Sequence, residues 1–453
     1  MSASAETSGQ PRLRRVLTLG DLLIYGIIVI QPTAPLPSFG VVGTVAHGHV
    51  VTTILIGMFA MVLTAVSYGR MANAHPNAGS AYAYVGRELH PNLGFLTGWS
   101  IAMDYFLSPT IGTIWCSKAA MNILPLPFAV WVIFFAAIFT LINLRGIQAT
   151  TRANTFLTIG MSAVLIAFFI SATGYIVRQS GVGGLFSLQP FYDPATFSWK
   201  LVSTGTSVAV LTYMGFDSIS TLSEDVQNPR RNVMLATVLL CVITGVLGSI
   251  EVYAGQLIWP DYRTYPDVDT AFVSAAGRAG GPIMFHLFNF TLLVATIGSS
   301  LGAQLGAGRL LYAMGRDGVI PRRFFGYLDP VRNTPKYNLL LTGAICVVGA
   351  LLLSYQAGAE LLNFGAFVAF MGVNLSVIAR YYIRGKSRGF RSICMNVAPP
   401  LLGFLVCFYI WLSLRTPAII AGFAWLLLGL AYCAFKTNGF REKLDFADDP
   451  SDA

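Results

Sequence analysis

The stretch Tyr25-Gly26-Ile27-Ile28-Val29-Ile30-Gln31-Pro32-Thr33-Ala34-Pro35-Leu36-Pro37 starts as an apolar helix and cannot continue as one. Three prolines fall within six residues, behind a polar glutamine. Each removes an N–H donor and clashes with the turn before it. A second apolar stretch is interrupted at Tyr213-Met214-Gly215-Phe216-Asp217-Ser218-Ile219-Ser220. There a glycine, an aspartate and two serines stand where lipid-facing side chains are expected. Irregular backbone at membrane depth is tolerated only where it lines a cavity or is enclosed by protein.

The rest of the chain supplies the membrane context. Of its 453 residues, 55% are hydrophobic and 11% charged, with a mean hydropathy of +0.65. Soluble domains carry about 25% charged residues. A soluble enzyme, a nucleic-acid binder and a disordered chain are all excluded on that ground, and the composition reads as a polytopic membrane protein. The first 18 residues are polar and basic and lead into an apolar run too long for a cleavable signal. A spanning helix needs about 20 mostly apolar residues. Twelve segments qualify: 19–46, 50–73, 92–123, 128–146, 153–178, 198–223, 231–259, 283–312, 338–355, 358–384, 394–415 and 417–436.

An even count puts both termini on one side. Under this map all but six of the 29 Lys and Arg fall on that side; the exceptions are Lys118, Arg178, Lys200, Arg263, Arg278 and Arg415. The bias of basic loops toward the cytoplasm places both termini there, in a multi-pass plasma-membrane protein. It also accounts for the net charge of +9 without any nucleic acid. The two interruptions fall in spans one and six, five helices apart. That offset is the mark of an inverted five-helix repeat with its substrate site between the broken helices. The alternative is a pair of proline kinks in a structural bundle. The organisation expected is a tail (1–18), a first repeat (19–178), a second repeat (198–384), two further helices (394–436) and a tail (437–453).

Several motifs follow one another along this frame. They are Pro76-Asn77-Ala78-Gly79-Ser80-Ala81-Tyr82, Gly98-Trp99 with Asp104-Tyr105, and Asn143-Leu144-Arg145-Gly146. Gly215-Phe216-Asp217, Leu222-Ser223-Glu224 and Asn228-Pro229-Arg230-Arg231 come next, followed by Arg309-Leu310-Leu311-Tyr312, Gly315-Arg316-Asp317-Gly318 and Asn363-Phe364-Gly365-Ala366. In this order and spacing the chain, over roughly residues 12–436, resembles the amino acid–polyamine–organocation (APC) superfamily and, within it, the bacterial putrescine importer group. The resemblance implies an all-α, LeuT-like fold of five plus five inverted helices with two more at the C-terminus. It implies a secondary transporter of a small organic cation, with an amino acid permease of the same fold as the alternative.

Amino-acid carriers of the superfamily hold the substrate carboxylate on N–H groups of a glycine-rich break in the first helix. Here Ile28-Val29-Ile30-Gln31-Pro32-Thr33 has no glycine pair, and Pro32 supplies no N–H. That departure fits a ligand without a carboxylate. Asp217 is the first candidate for its ammonium, because an aspartate mid-membrane is costly and marks a functional site. The resemblance points to the same position, where related carriers handle substrate amine or proton. The alternative role is to cap N–H groups freed by the break. Asp104, near the middle of span three, is the second; a diamine carries two separated cations, and the two aspartates supply two acceptors. Aromatic faces attract alkylammonium groups, and Tyr25, Tyr105, Tyr213, Phe216 and Phe364 are expected beside Gln31, Gly215 and Ser218.

For the coupling ion the candidates are Asp217, Glu251, Ser299 and Ser300. Sodium-coupled relatives use span-eight hydroxyls. Some proton-coupled relatives use a span-five lysine, which is absent between Asn154 and Ile176. Proton coupling is the expectation. Glu224, Asp225 and Arg230 are candidates for an inner gate closing against Arg15, or for ordinary surface pairs. Lys118 is expected to snorkel outward. The five histidines are scattered, with no HExxH, nucleophile elbow or phosphate loop, so no enzyme is indicated. The six cysteines form no CxxC, and neither metal nor cofactor is expected. A channel would need a filter repeat or ring symmetry. The partners expected are a cationic amine and the lipid bilayer, for a monomer or homodimer.

Overall fold

The computed structural model describes residues 16–75, 81–146, 151–316, 320–385 and 389–439. All the regular structure among them is helical, apart from one isolated parallel bridge between Leu17 and Val226. The expected first span is two helices, α1 (Leu19–Ile30) and α2 (Phe39–Val45), joined by turns. A capping box starts α1: the Thr18 hydroxyl accepts from the Asp21 N–H, and the Asp21 carboxylate accepts from the Thr18 N–H. Pro32 ends it.

The chain continues through α3 (Val50–Ala74), a short α4 (Ala81–Glu88), α5 (Pro91–Met121), α6 (Phe128–Leu144) and α7 (Thr151–Ser180). Pro91 stands in the first turn of α5, where its missing N–H costs nothing, and His90 caps that helix. Then α8 (Trp199–Ala209) gives way to tight 3₁₀ turns, and α9 (Pro229–Ile258) follows.

Next, α10 (Ala271–Arg316) begins earlier than the expected span at 283. Gly281, at φ 74°, and Pro282 put a kink just before that point. The remaining helices are α11 (Arg322–Phe325), α12 (Lys336–Leu352), α13 (Tyr355–Ile378), extended by a π turn over Ala379–Ile383, α14 (Phe390–Asn396), α15 (Ala398–Leu412) and α16 (Thr416–Lys436). Each of the twelve apolar stretches contains helix, though 19–46 and 198–223 are interrupted. Among the described residues, seven helical runs are long and apolar enough to cross a membrane, and three shorter apolar helices accompany them.

The most extensive packing pairs α3 with α9, and α5 with both α13 and α10. Small residues permit it: Gly69 of α3 meets the backbone of Met234 in α9 with no room for a side chain. Of these five helices, α3 and α9 also pack on the 3₁₀ turns that follow α8, and α9 packs on α1.

Candidate substrate site at the helix breaks

At the first break, Gln31 adopts φ 71°, unusual for a residue with a β-carbon. Its side chain crosses to the middle of α10, where Nε2 donates to the Ala295 carbonyl at 3.0 Å. Local turns carry the chain from there to α2; Leu36 N–H bonds Thr33 O, and Ser38 Oγ bonds Pro35 O. At the second break, Met214 is extended and Gly215 lies at φ 103°. A 3₁₀ run, Phe216–Asp225, follows. Runs beyond three or four residues are uncommon and mark hinges or strain. The two breaks touch: a β-carbon on Gly215 would stand 2.9 Å from Val29 Cγ1.

Asp217 sits just beyond Gly215. Its carboxylate lies beside the backbone N–H groups of Asp217 and Ser218. Ser218 Oγ donates back to Gly215 O at 2.6 Å. Asp104 of α5 lies within electrostatic reach of Asp217. Both aspartates are only half-buried although they sit deep among the helices. Beside them Tyr105 and Tyr25 are each 37% exposed and close to one another. Across from Tyr105, Gly306 of α10 faces its ring, and Gly298 and Gly302 on that helix look onto open space. Along α1, Asp21, Ile24 and Tyr25 form one exposed face running back to the helix start. Tyr25 of α1, Tyr105 of α5 and Gly306 of α10 thus come together beside the two carboxylates.

The other expected rings are placed differently. Phe216 is buried in an edge-to-face group with Tyr68 at 5.4 Å, and Phe370 joins both. Tyr213 is wholly buried, and its hydroxyl donates to Ile54 O. Phe364 is not brought to the breaks; its ring stacks toward Trp411 of α15 and Phe423 of α16. Sequence reasoning missed Tyr68 and Tyr84, which lie within electrostatic reach of Asp217, and Phe370, which packs on Phe216. The helical period of α3 puts Tyr68 on its inner face, but nothing local distinguishes it from core.

The coupling candidates scatter. Ser299 is exposed and donates to Thr296 O within α10. Ser300 is buried against Gly112 of α5. Glu251 is fully buried in α9. At the termini end, Arg15 and the Glu224 side chain lie outside what is described. Asp225 acts through its carbonyl, which accepts from Val16 and Leu17 N–H at 2.8 and 2.9 Å. Arg230 is exposed, and its carbonyl accepts from Asn73 Nδ2. The contact there is backbone pairing between the approach to α1 and the exit of the 3₁₀ run.

Two ionic clusters flank the site. At one end Lys118 is not free at the surface but meets Asp267 at 3.1 Å and Asp269 at 3.8 Å. Toward the other, Glu88 at the end of α4 accepts from His75 and Arg380 at 2.5 Å each and from Arg384 at 2.8 Å. Among the described residues no three His, Cys, Asp or Glu are grouped to hold a metal.

An amino acid permease family model matches residues 36–443. The chain belongs to the amino acid permease family of the APC superfamily. This permease is 32% identical over 446 residues to the low-affinity putrescine importer PlaP of Escherichia coli, covering 96% of this chain and 97% of that one. It is 25% identical to the methylthioribose transporter of Bacillus subtilis, over 92% of each chain. It is equally 25% identical to the branched-chain amino acid permease BcaP of Lactococcus lactis, over 92% of this chain and 93% of the relative. Family and relatives are transporters, so the protein is a multi-pass membrane transporter and not an enzyme.

Proposed function

We propose that this permease imports a small organic dication, putrescine or a related diamine, by alternating access and with proton coupling. The observation that carries the reading is the pair Asp217 and Asp104, half-buried at the meeting point of the two breaks, with Tyr25 and Tyr105 beside them. Each carboxylate accepts one ammonium group, and the phenol rings cover the methylenes between. The putrescine importer relative supports that substrate. Twelve spans in a LeuT-like arrangement, with 19–178 and 198–384 as inverted repeats, fit the coincidence of the breaks. The basic-residue bias supports both termini in the cytoplasm. The closed ionic contacts of Lys118 with Asp267 and Asp269 fit one state of an alternating cycle. An inside-negative potential favours cation entry by about 2.3 kcal/mol per charge per 100 mV.

The test is uptake of radiolabelled putrescine into proteoliposomes, with competing diamines and neutral amino acids and with Asp217→Asn in parallel. Saturable uptake competed by diamines alone and lost in Asp217→Asn is expected. Transport of a neutral amino acid with no putrescine uptake would overturn the reading in favour of an amino acid permease.

A further inference from the structure

Glu251 is a buried acid that the substrate site does not use. It is 0% exposed, and neither carboxylate oxygen has a hydrogen-bond partner. Its surroundings follow from its neighbours on α9, since residues three or four apart share a helix face. Gly248, a turn before, packs on Pro35 and Thr212; Gly255, a turn after, packs on Phe39 and Phe272. Glu251 thus faces the segment that joins α1 to α2 and the start of α10. Thr212 Oγ1, on the chain just before the second break, is likewise buried and unpartnered.

No charge compensates it. Residues 31–45 contain no Asp, Glu, Lys, Arg or His, and neither do residues 202–213, where the one phenol, Tyr213, donates to Ile54. On α3, Val50 to Gly69 carry none, and neither do residues 155–174 of α7. On α10, Arg278 is exposed, bonded to Tyr175 and stacked over Trp259, and His286 is exposed. Beyond Phe39, Phe168, Phe272 and Phe288 form a tilted aromatic cluster. An ionised carboxylate without a partner is prohibitive in such a place, whereas a neutral acid needs only one acceptor.

We propose that Glu251 is the proton-binding site of this permease, separate from the aspartates that take the substrate. The proposal rests on the proton-coupled reading above. Cys241 marks where α9 faces Asp217, and the ten residues from there to Glu251 span about 15 Å of helix. The proton adds to a carboxylate oxygen when α2 and the turn before it swing away and admit water from one side. It leaves to water on the other side after the swing. With the proton on, Glu251 is neutral and the segment 31–38 can seal against α9, as it does here. Substrate and proton are then coupled through the same moving segment, which carries the first break.

The test compares full-length wild type, Glu251→Gln and Asp217→Asn in proteoliposomes. Glu251→Gln keeps the shape of the neutral acid and cannot release a proton. It is expected to retain putrescine–putrescine exchange within about threefold, and to lose accumulation driven by a pH gradient at zero potential at least tenfold. Asp217→Asn is expected to lose both. Accumulation by Glu251→Gln at the wild-type level, or wild-type uptake indifferent to the gradient, would overturn the proposal and leave the substrate reading intact. If Glu251→Gln loses exchange too, or no protein carries putrescine, infrared difference spectra decide. A protonated-carboxyl band present in the wild type at neutral pH and missing in Glu251→Gln supports the proposal. Identical spectra overturn it.

Discussion

Gly215 rests against Val29, so the break in one interrupted helix is seated on the break in the other. A β-carbon at 215 would stand 2.9 Å from Val29 Cγ1 and 3.7 Å from Ile30 Cγ1. Gly215 also holds φ 103°, which side-chain-bearing residues rarely adopt. Gly215→Ala adds a steric penalty to a backbone strain of about 1–3 kcal/mol. Expected are a lower unfolding temperature in detergent and uptake reduced at least tenfold. Wild-type uptake in a folded Gly215→Ala protein would show that the two breaks need not touch.

The two aspartates make distinguishable predictions. If each receives one end of a dication, Asp104→Asn removes one anchor and leaves the other. Losing one partner of a desolvated charge pair costs about 2–5 kcal/mol, so diamine affinity is expected to fall by more than tenfold. A monoamine, which needs only Asp217, is expected to lose far less. The ratio of competition constants for putrescine and butylamine checks this. An unchanged ratio in Asp104→Asn removes Asp104 from the site.

Glu88 supplies a pH dependence outside the spans. Burial lifts its carboxyl, but hydrogen bonds from His75 and Arg380 and the Arg380 charge outweigh that and hold it below the usual 4.5. A carboxyl depressed in the folded state binds its proton first in the unfolded state. Its contribution to stability is therefore complete above the unfolded value and is lost as pH falls through the folded one. Thermal stability is expected to fall as pH drops below about 4.5, and Glu88→Gln to flatten that slope while costing about 1–3 kcal/mol at neutral pH. Parallel slopes for the two proteins would remove Glu88 as the cause.

The apolar helices and the two breaks were legible because length, apolarity and proline placement act locally. The expected 50–73 meets α3 at Val50–Ala74 with no tertiary help. The start of α10 was not legible, because Arg278 and the Gly280-Gly281-Pro282 run read as a loop, whereas the chain holds helix on both sides of a kink. Asp217 and Asp104 stood out as acids in apolar runs. The rotation of each helix did not. Tyr105 and Phe364 look equivalent as aromatic residues in spans, yet one is exposed beside Gly306 and the other packs on the C-terminal helices. Facing pairs across helices, such as Lys118 with Asp267 or Glu88 with Arg384, depend on packing that no single-chain pattern encodes.

Gln31 joins the first break to α10 through one hydrogen bond across 264 residues of chain. The bond also offsets an awkward backbone, since Gln31 sits at φ 71° without the freedom of glycine. Two substitutions separate these roles. Gln31→Gly removes both strain and tether; Gln31→Leu removes the tether and keeps the strain. If the tether fixes the hinge during the cycle, both variants are expected to lower the maximal uptake rate about five- to tenfold. The half-saturating concentration is expected to move less, because neither carboxylate is touched. Gln31→Gly is expected to unfold at a higher temperature than Gln31→Leu, by the strain of about 1–3 kcal/mol that it relieves. The deciding comparison is between rate and stability. A rate that recovers in Gln31→Gly would assign the defect to backbone strain, and the bond to Ala295 would then have no part in transport.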